Sequence, residues 1–462
     1  MSKLLVGAAK VCINPTPDMY PIPTSHKDWG AASSAQQCAY DDMHVRAIAI
    51  DNGTDRLMFV VYELSGPPAV EGLAELIGEA TGFPAENIII AATHNHTGCK
   101  DVPFGPTAHL VTPEELAFFE AYKKIETERG IEAAKKAVAS MRSARYGYGE
   151  SESYINTNRD LKTMFGYWVE GRNLAGYSDK TLAIVKFVDE EGKLIAALMN
   201  HGTHATCCYM MRDADGKAKT SGNFNGITSR FVEEHYGNGA VAVWTSGAAG
   251  NQNPLLSHGM QYEYPDGYTA AVQYPDGVGY MQMEFMGRYH GADCVKGIDA
   301  ISEYSEIMPI RHVRRSTWLP TQQKILKPGM VFPVRMGGSF PRTDESAPVM
   351  PELPERVPDP EHPTELRMQL VTMGDIAIVG VGGEPYAELG RDIKAALPAK
   401  HTIVVTHITG GMGDNPHAVG YIVDKSSIGS HNVKMYRNLK PGFYDELIIE
   451  AAKELYRKAV EA

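Results

Sequence analysis

Two apolar runs in this sequence end in histidine pairs. Asn87-Ile88-Ile89-Ile90-Ala91-Ala92 passes into Thr93-His94-Asn95-His96-Thr97-Gly98, and Leu194 to Met199 passes into Asn200-His201-Gly202-Thr203-His204. Imidazole is a ligand for zinc and similar divalent ions. In extended chain residues i and i+2 face the same way, so the rings of His94 and His96 can reach one centre. In the second pair Gly202 lets backbone approach closely. The plainer alternative makes one histidine of the first pair a ligand and the other a polar loop residue. A third run, Ile376 to Val381, ends in Gly382-Gly383-Glu384-Pro385-Tyr386. Its carboxylate would complete the common set of two histidines and one acid. It would equally serve as the negative charge in the first turn of the helix that follows.

A fourth stretch runs from Trp244 through Ser246-Gly247-Ala248-Ala249-Gly250 to Asn251-Gln252-Asn253-Pro254. Its small residues permit close packing, and its backbone N–H groups could cradle an oxyanion. It lacks the Gly-Lys-Ser/Thr ending of a phosphate loop and the G-x-S-x-G of a nucleophile elbow. Asn253 can donate a hydrogen bond but is no ordinary nucleophile. The H-E-x-x-H helix motif is absent. The Asp-His that follows H-x-H in binuclear hydrolases of the β-lactamase type is replaced by Thr97-Gly98. Cys207-Cys208 adjoin the second histidine pair and read as buried packing residues, with a thiolate ligand or nucleophile as the alternative.

The elements needed to hold these residues alternate between strand and helix, which indicates an α/β fold of mixed β-sheets flanked by helices. Val45–Ile50 and Leu57–Tyr62 read as a hairpin across Asp51-Asn52-Gly53. A short helix is predicted over 69–80. Thr112-Pro113-Glu114-Glu115 has the form of a capping box opening a helix to about residue 141, loosened near Gly130. Strands follow at 181–188, 194–199 and 240–244. Residues 328–363 carry nine of the 28 prolines and read as a long ordered crossing or loop. Beyond them come a hairpin of 367–373 and 375–381 about Gly374, a helix at 385–397, a strand at 402–406 and a helix at 443–459.

The 462 residues include 44 Lys plus Arg against 56 Asp plus Glu, a formal charge of −12. That balance argues against nucleic acid, whose phosphates need a basic surface. An anionic small molecule stays admissible, because one arginine and a metal reverse the sign locally. Six cysteines at 12, 38, 99, 207, 208 and 294 show no disulfide framework and no C-x-x-C. No signal-peptide h-region opens the chain and no apolar run is long enough to span a membrane. The expectation is a cytoplasmic protein with no membrane partner; the sequence leaves room for a homo-oligomer.

Taken in order, the motifs resemble the N-terminal catalytic domain of the neutral, non-lysosomal ceramidases. The resemblance begins at Val6-Gly7-Ala8-Ala9-Lys10-Val11 with Ile13-Asn14-Pro15. It continues through Ala92 to Gly98, Ile155-Asn156 to Asn158-Arg159, and His204-Ala205-Thr206. It ends with Gly247 to Pro254, Gly383-Glu384-Pro385 and Gly420-Tyr421-Ile422-Val423. The family implies a zinc ion held by His94, His204, Glu384 and Tyr421, with His96 and Arg159 in the reaction centre. This chain departs from it at Gly250-Asn251-Gln252-Asn253-Pro254, where the family has Gly-Asp-x-Ser-Pro, so Asn253 stands at the serine and Asn251 at the aspartate. Asn223-Phe224-Asn225-Gly226 and Ala205 are further departures. The match reaches both ends, so residues 1–462 are expected to form one elaborated catalytic unit without an added immunoglobulin-like domain.

With no serine at 253, the expected reaction is hydrolysis of an amide, ester or lactone in a small polar, anionic or sugar-derived compound. Water activated by zinc or another divalent metal would attack, with His96 moving the proton. Arg159 would hold an anionic group or oxyanion, Asn253 would orient the carbonyl, and Asn251 and His201 would contact substrate. The rival reading is a metal-dependent lyase or isomerase acting α to a carboxylate, for example on a uronate-containing sugar. A third is a non-catalytic metal-binding homologue.

Overall fold

The computed structural model describes the chain apart from residues 1–2, 23–34, 103–110, 165, 167, 210, 258–259, 265–268, 272–273, 326–354, 410–418, 431–438, 440–441 and 462. Eight strands form the larger sheet, in the order Val241–Ser246, Leu194–His201, Thr181–Asp189, Arg142–Glu152, Leu5–Cys12, His44–Asp51, Arg56–Tyr62 and Ile88–Ala92. Its inner pairs are antiparallel, whereas the pair at each edge is parallel. The alternation of apolar residues explains how it is covered. Leu57, Phe59, Val61 and Ile89 face a second sheet. Met58, Val60, Tyr62 and Ile90 face the helices Leu73–Thr81 and Pro113–Ala139. Strands apolar on both faces must be buried on both.

The second sheet has the order Ile310–Ile325, Glu355–Met373, Ile376–Val381, His401–Thr406. Its inner face supplies Val371, Met373, Ile376, Ile378, Ile403 and Val405 to the shared core. Its outer face packs on Ala387–Ala396 and Asp445–Glu461. The layers therefore run helices, sheet, sheet, helices: an α/β fold of mixed sheets flanked by helices, as the sequence indicates. Among the described residues no helix is long and apolar enough to cross a membrane.

Local chemistry fixes the boundaries. The Thr112 hydroxyl accepts from the Glu115 N–H at 3.3 Å while the Glu115 carboxylate accepts from the Thr112 N–H at 2.8 Å, the predicted capping box. The helix then runs unbroken through Gly130, where loosening was expected. A Cβ there would stand 1.8 Å from the Tyr62 hydroxyl, so the glycine makes room for a tyrosine of the sheet. The proline-rich 328–363 also differs from expectation. Residues 328–354 lie outside the described residues, while 355–363 belong to the strand Glu355–Met373. The ladder with Ile310–Ile325 slips between Leu319 and Thr321, and the partners jump from Thr364 to Asp359. Pro320, Pro360 and Pro363 fall in that irregular patch, where a missing N–H costs no ladder bond.

Candidate metal centre

His94, His96, His204 and Glu384 all follow the carboxyl ends of long strands, whereas Arg159 and Asn253 lie within the strands Asn156–Lys162 and Gln252–Pro254. The sheets meet at those ends: the Asn200 amide donates to the Val404 carbonyl at 3.1 Å, and the Thr406 hydroxyl donates to the Gly247 carbonyl at 3.0 Å. The two histidine motifs then touch. Asn95 forms a parallel bridge with Ala205, and the His96 N–H donates to the Ala205 carbonyl at 3.2 Å. Two asparagines from the start of the helix Asn223–Tyr236 hold this joint. Asn223 donates to the Thr97 hydroxyl and the Ala205 carbonyl, and Asn225 donates to the Thr93 carbonyl. Glu384 and Tyr421 are register partners in a two-residue parallel ladder. Gly250 permits this approach, since a Cβ there would lie 2.6 Å from the Glu384 carbonyl.

His94, His96, His204, Glu384 and Tyr421 are thereby brought together. The Glu384 Oε2 atom is 3.3 Å from the Nε2 of both His94 and His204. The His96 Nε2 is 3.1 Å from that of His94, and the Tyr421 hydroxyl is 3.2 Å from that of His204. The other ring nitrogens decide the chemistry. His94 Nδ1 faces the Ser65 carbonyl at 2.8 Å and His204 Nδ1 faces the Ala249 carbonyl at 2.6 Å. Carbonyls only accept, so each Nδ1 carries a proton and each ring turns its Nε2 inward.

Electrostatics keep protons away from this point. Burial, then Arg159 and His94, push the His204 pKa down to about 4. Burial, then His94 and His204, hold His96 well below the usual imidazole range. Burial raises the Glu384 carboxyl, but His94 and His204 together hold it well below the carboxylate range. Its buried Oε2 has no hydrogen-bond partner. Two imidazole nitrogens thus face one carboxylate oxygen at 3.3 Å, a donor set that a divalent cation satisfies. The donor set fits such an ion.

Arg159 flanks the group. Its guanidinium donates to the Gly250 carbonyl at 2.6 Å and to the Asn253 side-chain oxygen at 3.3 Å, and it lies 5.2 Å over the Tyr421 ring. Burial disfavours its charge, yet Tyr421 and Glu170 hold its pKa above the ordinary value. Asn253 in turn donates to Glu170 at 2.7 Å. Two expected contacts are not brought to this group. The ring nitrogens of His201 are engaged by the Thr203 hydroxyl at 2.8 Å and the Ser153 carbonyl at 3.1 Å, which leaves none for a substrate. Asn251 accepts from the Ala387 N–H and donates to Glu388, so it fastens the start of a helix. Within the glycine-rich stretch the N–H groups of Gly247 and Gly250 donate to the carbonyls of His201 and Pro385, so neither of these two is left for an anion. Cys207 and Cys208 are buried in the core beside the helices.

The sequence reading missed His407, which stacks on His94 with ring centroids 3.8 Å apart and planes 13° apart. The signal was present: it directly follows the strand His401–Thr406, a further apolar run closing on histidine. His94 and His407 both hold positive φ, 58° and 52°, in the region where L residues are strained. Ser65 and Lys100 were also missed; the Lys100 ammonium donates to the Ser65 hydroxyl at 2.7 Å, behind His94. Burial brings the Lys100 pKa down to about 8, against the opposing pull of Asp101 and Glu384.

No protein-family model matches the chain, and no curated protein matches it by sequence. Its fold is similar to that of the neutral ceramidase from Pseudomonas aeruginosa, with a TM-score of 0.68 at 16% identity, over 99% of this chain and 75% of that one. A ceramidase complexed with C2 gives a TM-score of 0.66 at 16% identity, over 99% and 76%. The layered α/β architecture is therefore that of the neutral ceramidase fold.

Proposed function

We propose that this protein is a metal-dependent hydrolase cleaving an amide, ester or lactone in a small polar substrate with an anionic or sugar-derived group. The observation that carries the reading is the convergence of His94 Nε2, His204 Nε2 and the unpartnered Glu384 Oε2. These residues, with Tyr421, would hold the ion, for which zinc is the first candidate. Such an ion supplies Lewis-acid polarisation of a carbonyl and eases ionisation of water near neutral pH. His96, kept unprotonated by its surroundings, is suited to take a proton from the attacking water and return it to the leaving group. Arg159 would bind the substrate's anionic group or steady the developing oxyanion. Asn253 holds Arg159 and Glu170 in place and supplies no nucleophile, so an attacking water fits better than a side-chain ester.

A second reading, a lyase or isomerase acting α to a carboxylate, is favoured by one observation: Arg159 and Tyr421 stand together. That pair suits an enolate-like species, with the phenol moving the proton. The deciding measurement screens a panel of small amides, esters, lactones and uronates in water enriched in heavy oxygen. Hydrolysis is expected to put label into the product carboxylate, whereas an unlabelled unsaturated product would select elimination. His94→Ala is expected to abolish both metal retention and turnover. Full turnover by that variant under stringent chelation would sink both metal-dependent readings.

A further inference from the structure

We propose that this centre takes two neighbouring divalent cations, the second held by His407 beside Glu384, an inference that rests on the metal-dependent reading above. The donor atoms fall into two overlapping groups, His94, His96 and His204, and His94, Glu384 and His407, each with its ligand atoms within 4.8 Å of one another. Rings that share one ion must splay around it. His94 and His204 do so, at 74° with centroids 4.5 Å apart. His407 does not, because it lies nearly parallel to His94. Lone pairs on stacked rings run side by side, so they address adjacent positions rather than a common one. The 3.8 Å between these rings matches the spacing of two-metal hydrolytic sites, about 3.5–4 Å.

Three further features agree. His407 is only 4% exposed, so its imidazole lies inside the fold beside this centre. Glu384 has two carboxylate oxygens, and a carboxylate can serve two ions at once. Charge sets a condition on the second ion. Arg159 and Lys100 are cationic neighbours, so Glu384 alone does not balance two dications. The second ion therefore enters with an anion, which agrees with a substrate bearing a carboxylate.

The test uses the full chain stripped with a chelator and titrated with zinc ions, with acetate as the probe anion. Bound metal is counted by elemental analysis after gel filtration. Two ions per chain are expected for the unaltered protein, and one for His407→Ala. His407→Phe, which keeps a ring on His94 without a donor nitrogen, guards against misfolding and is also expected to bind one. Saturation of the unaltered protein at one ion, or retention of two by either variant, would overturn the proposal. The failures are distinguishable: one ion per chain removes only the second site, whereas none removes the metal-dependent reading as well.

Discussion

Among the described residues two histidine clusters lie inside the fold, and one motif feeds both. His204 joins His94, His96 and His407, while His201, three residues earlier, packs against His290 with ring centroids 5.0 Å apart. Apart from the partly exposed His96 both clusters are buried, so burial alone does not separate them. Hydrogen bonding does. His290 Nδ1 meets the Ser153 hydroxyl at 2.8 Å, and His290 Nε2 accepts from the Trp244 indole at 3.0 Å. His201 has both nitrogens engaged as well. Ser153, His290 and Asp293 even have the composition of a catalytic triad, but the serine donates to Asp293 at 2.6 Å and the indole occupies the imidazole's accepting nitrogen. No base is left to activate the hydroxyl. The lone pairs that could serve a metal ion lie where ring nitrogens and a carboxylate converge, not wherever histidines are numerous.

The sharpest way to break this contrast is to remove one histidine from each cluster. His204→Ala is expected to weaken zinc binding by more than about 100-fold, read by competition with a chromophoric chelator. His201→Ala is expected to leave the metal count unchanged. A matched loss in both variants would erase the distinction.

The next effect is on stability. Burial pushes the His201 pKa down to about 4 from an ordinary 6.5. Between those values the unfolded chain binds a proton that the folded one refuses, so stability rises with pH there and is lost as pH falls from 6.5 towards 4. The full shift corresponds to roughly 3 kcal/mol. Urea unfolding of the metal-free protein at stepped pH checks it, and His201→Gln should flatten the curve across that window. A curve equally steep in the variant would assign the loss to other groups.

The smallest effect concerns Ser153. Ser153→Ala is expected to cost about 1 kcal/mol in unfolding free energy and to leave turnover unchanged. Loss of activity without loss of stability would instead promote the Ser153–His290–Asp293 group to a reaction centre.

What was legible in the sequence follows from this contrast. Apolar runs ending in polar residues announced the strands and their ends, so His94, His204 and Glu384 could be singled out before any fold was known. Direction was not legible. Whether His201 turns to Ser153 or to the ion site depends on the backbone path through Gly202, which packs against the Ala248 carbonyl. Partners distant in sequence were equally hidden. Asn251 reads as a substrate contact until the helix at Ala387 arrives to use its oxygen. Pro360 and Pro363 read as loop because the slip in the ladder that accommodates them depends on pairing with Leu319 and Thr321.

The left-handed backbone at His94 and His407 has an evolutionary consequence. An L residue in that conformation is disfavoured by roughly 1–2 kcal/mol, a strain that glycine would not feel. Drift under selection for folding alone would therefore convert both positions to glycine and strip the site of its stacked rings. Two histidines in a conformation that favours glycine are the residue types such drift removes first. Histidine at these two positions is therefore not what folding stability alone would select.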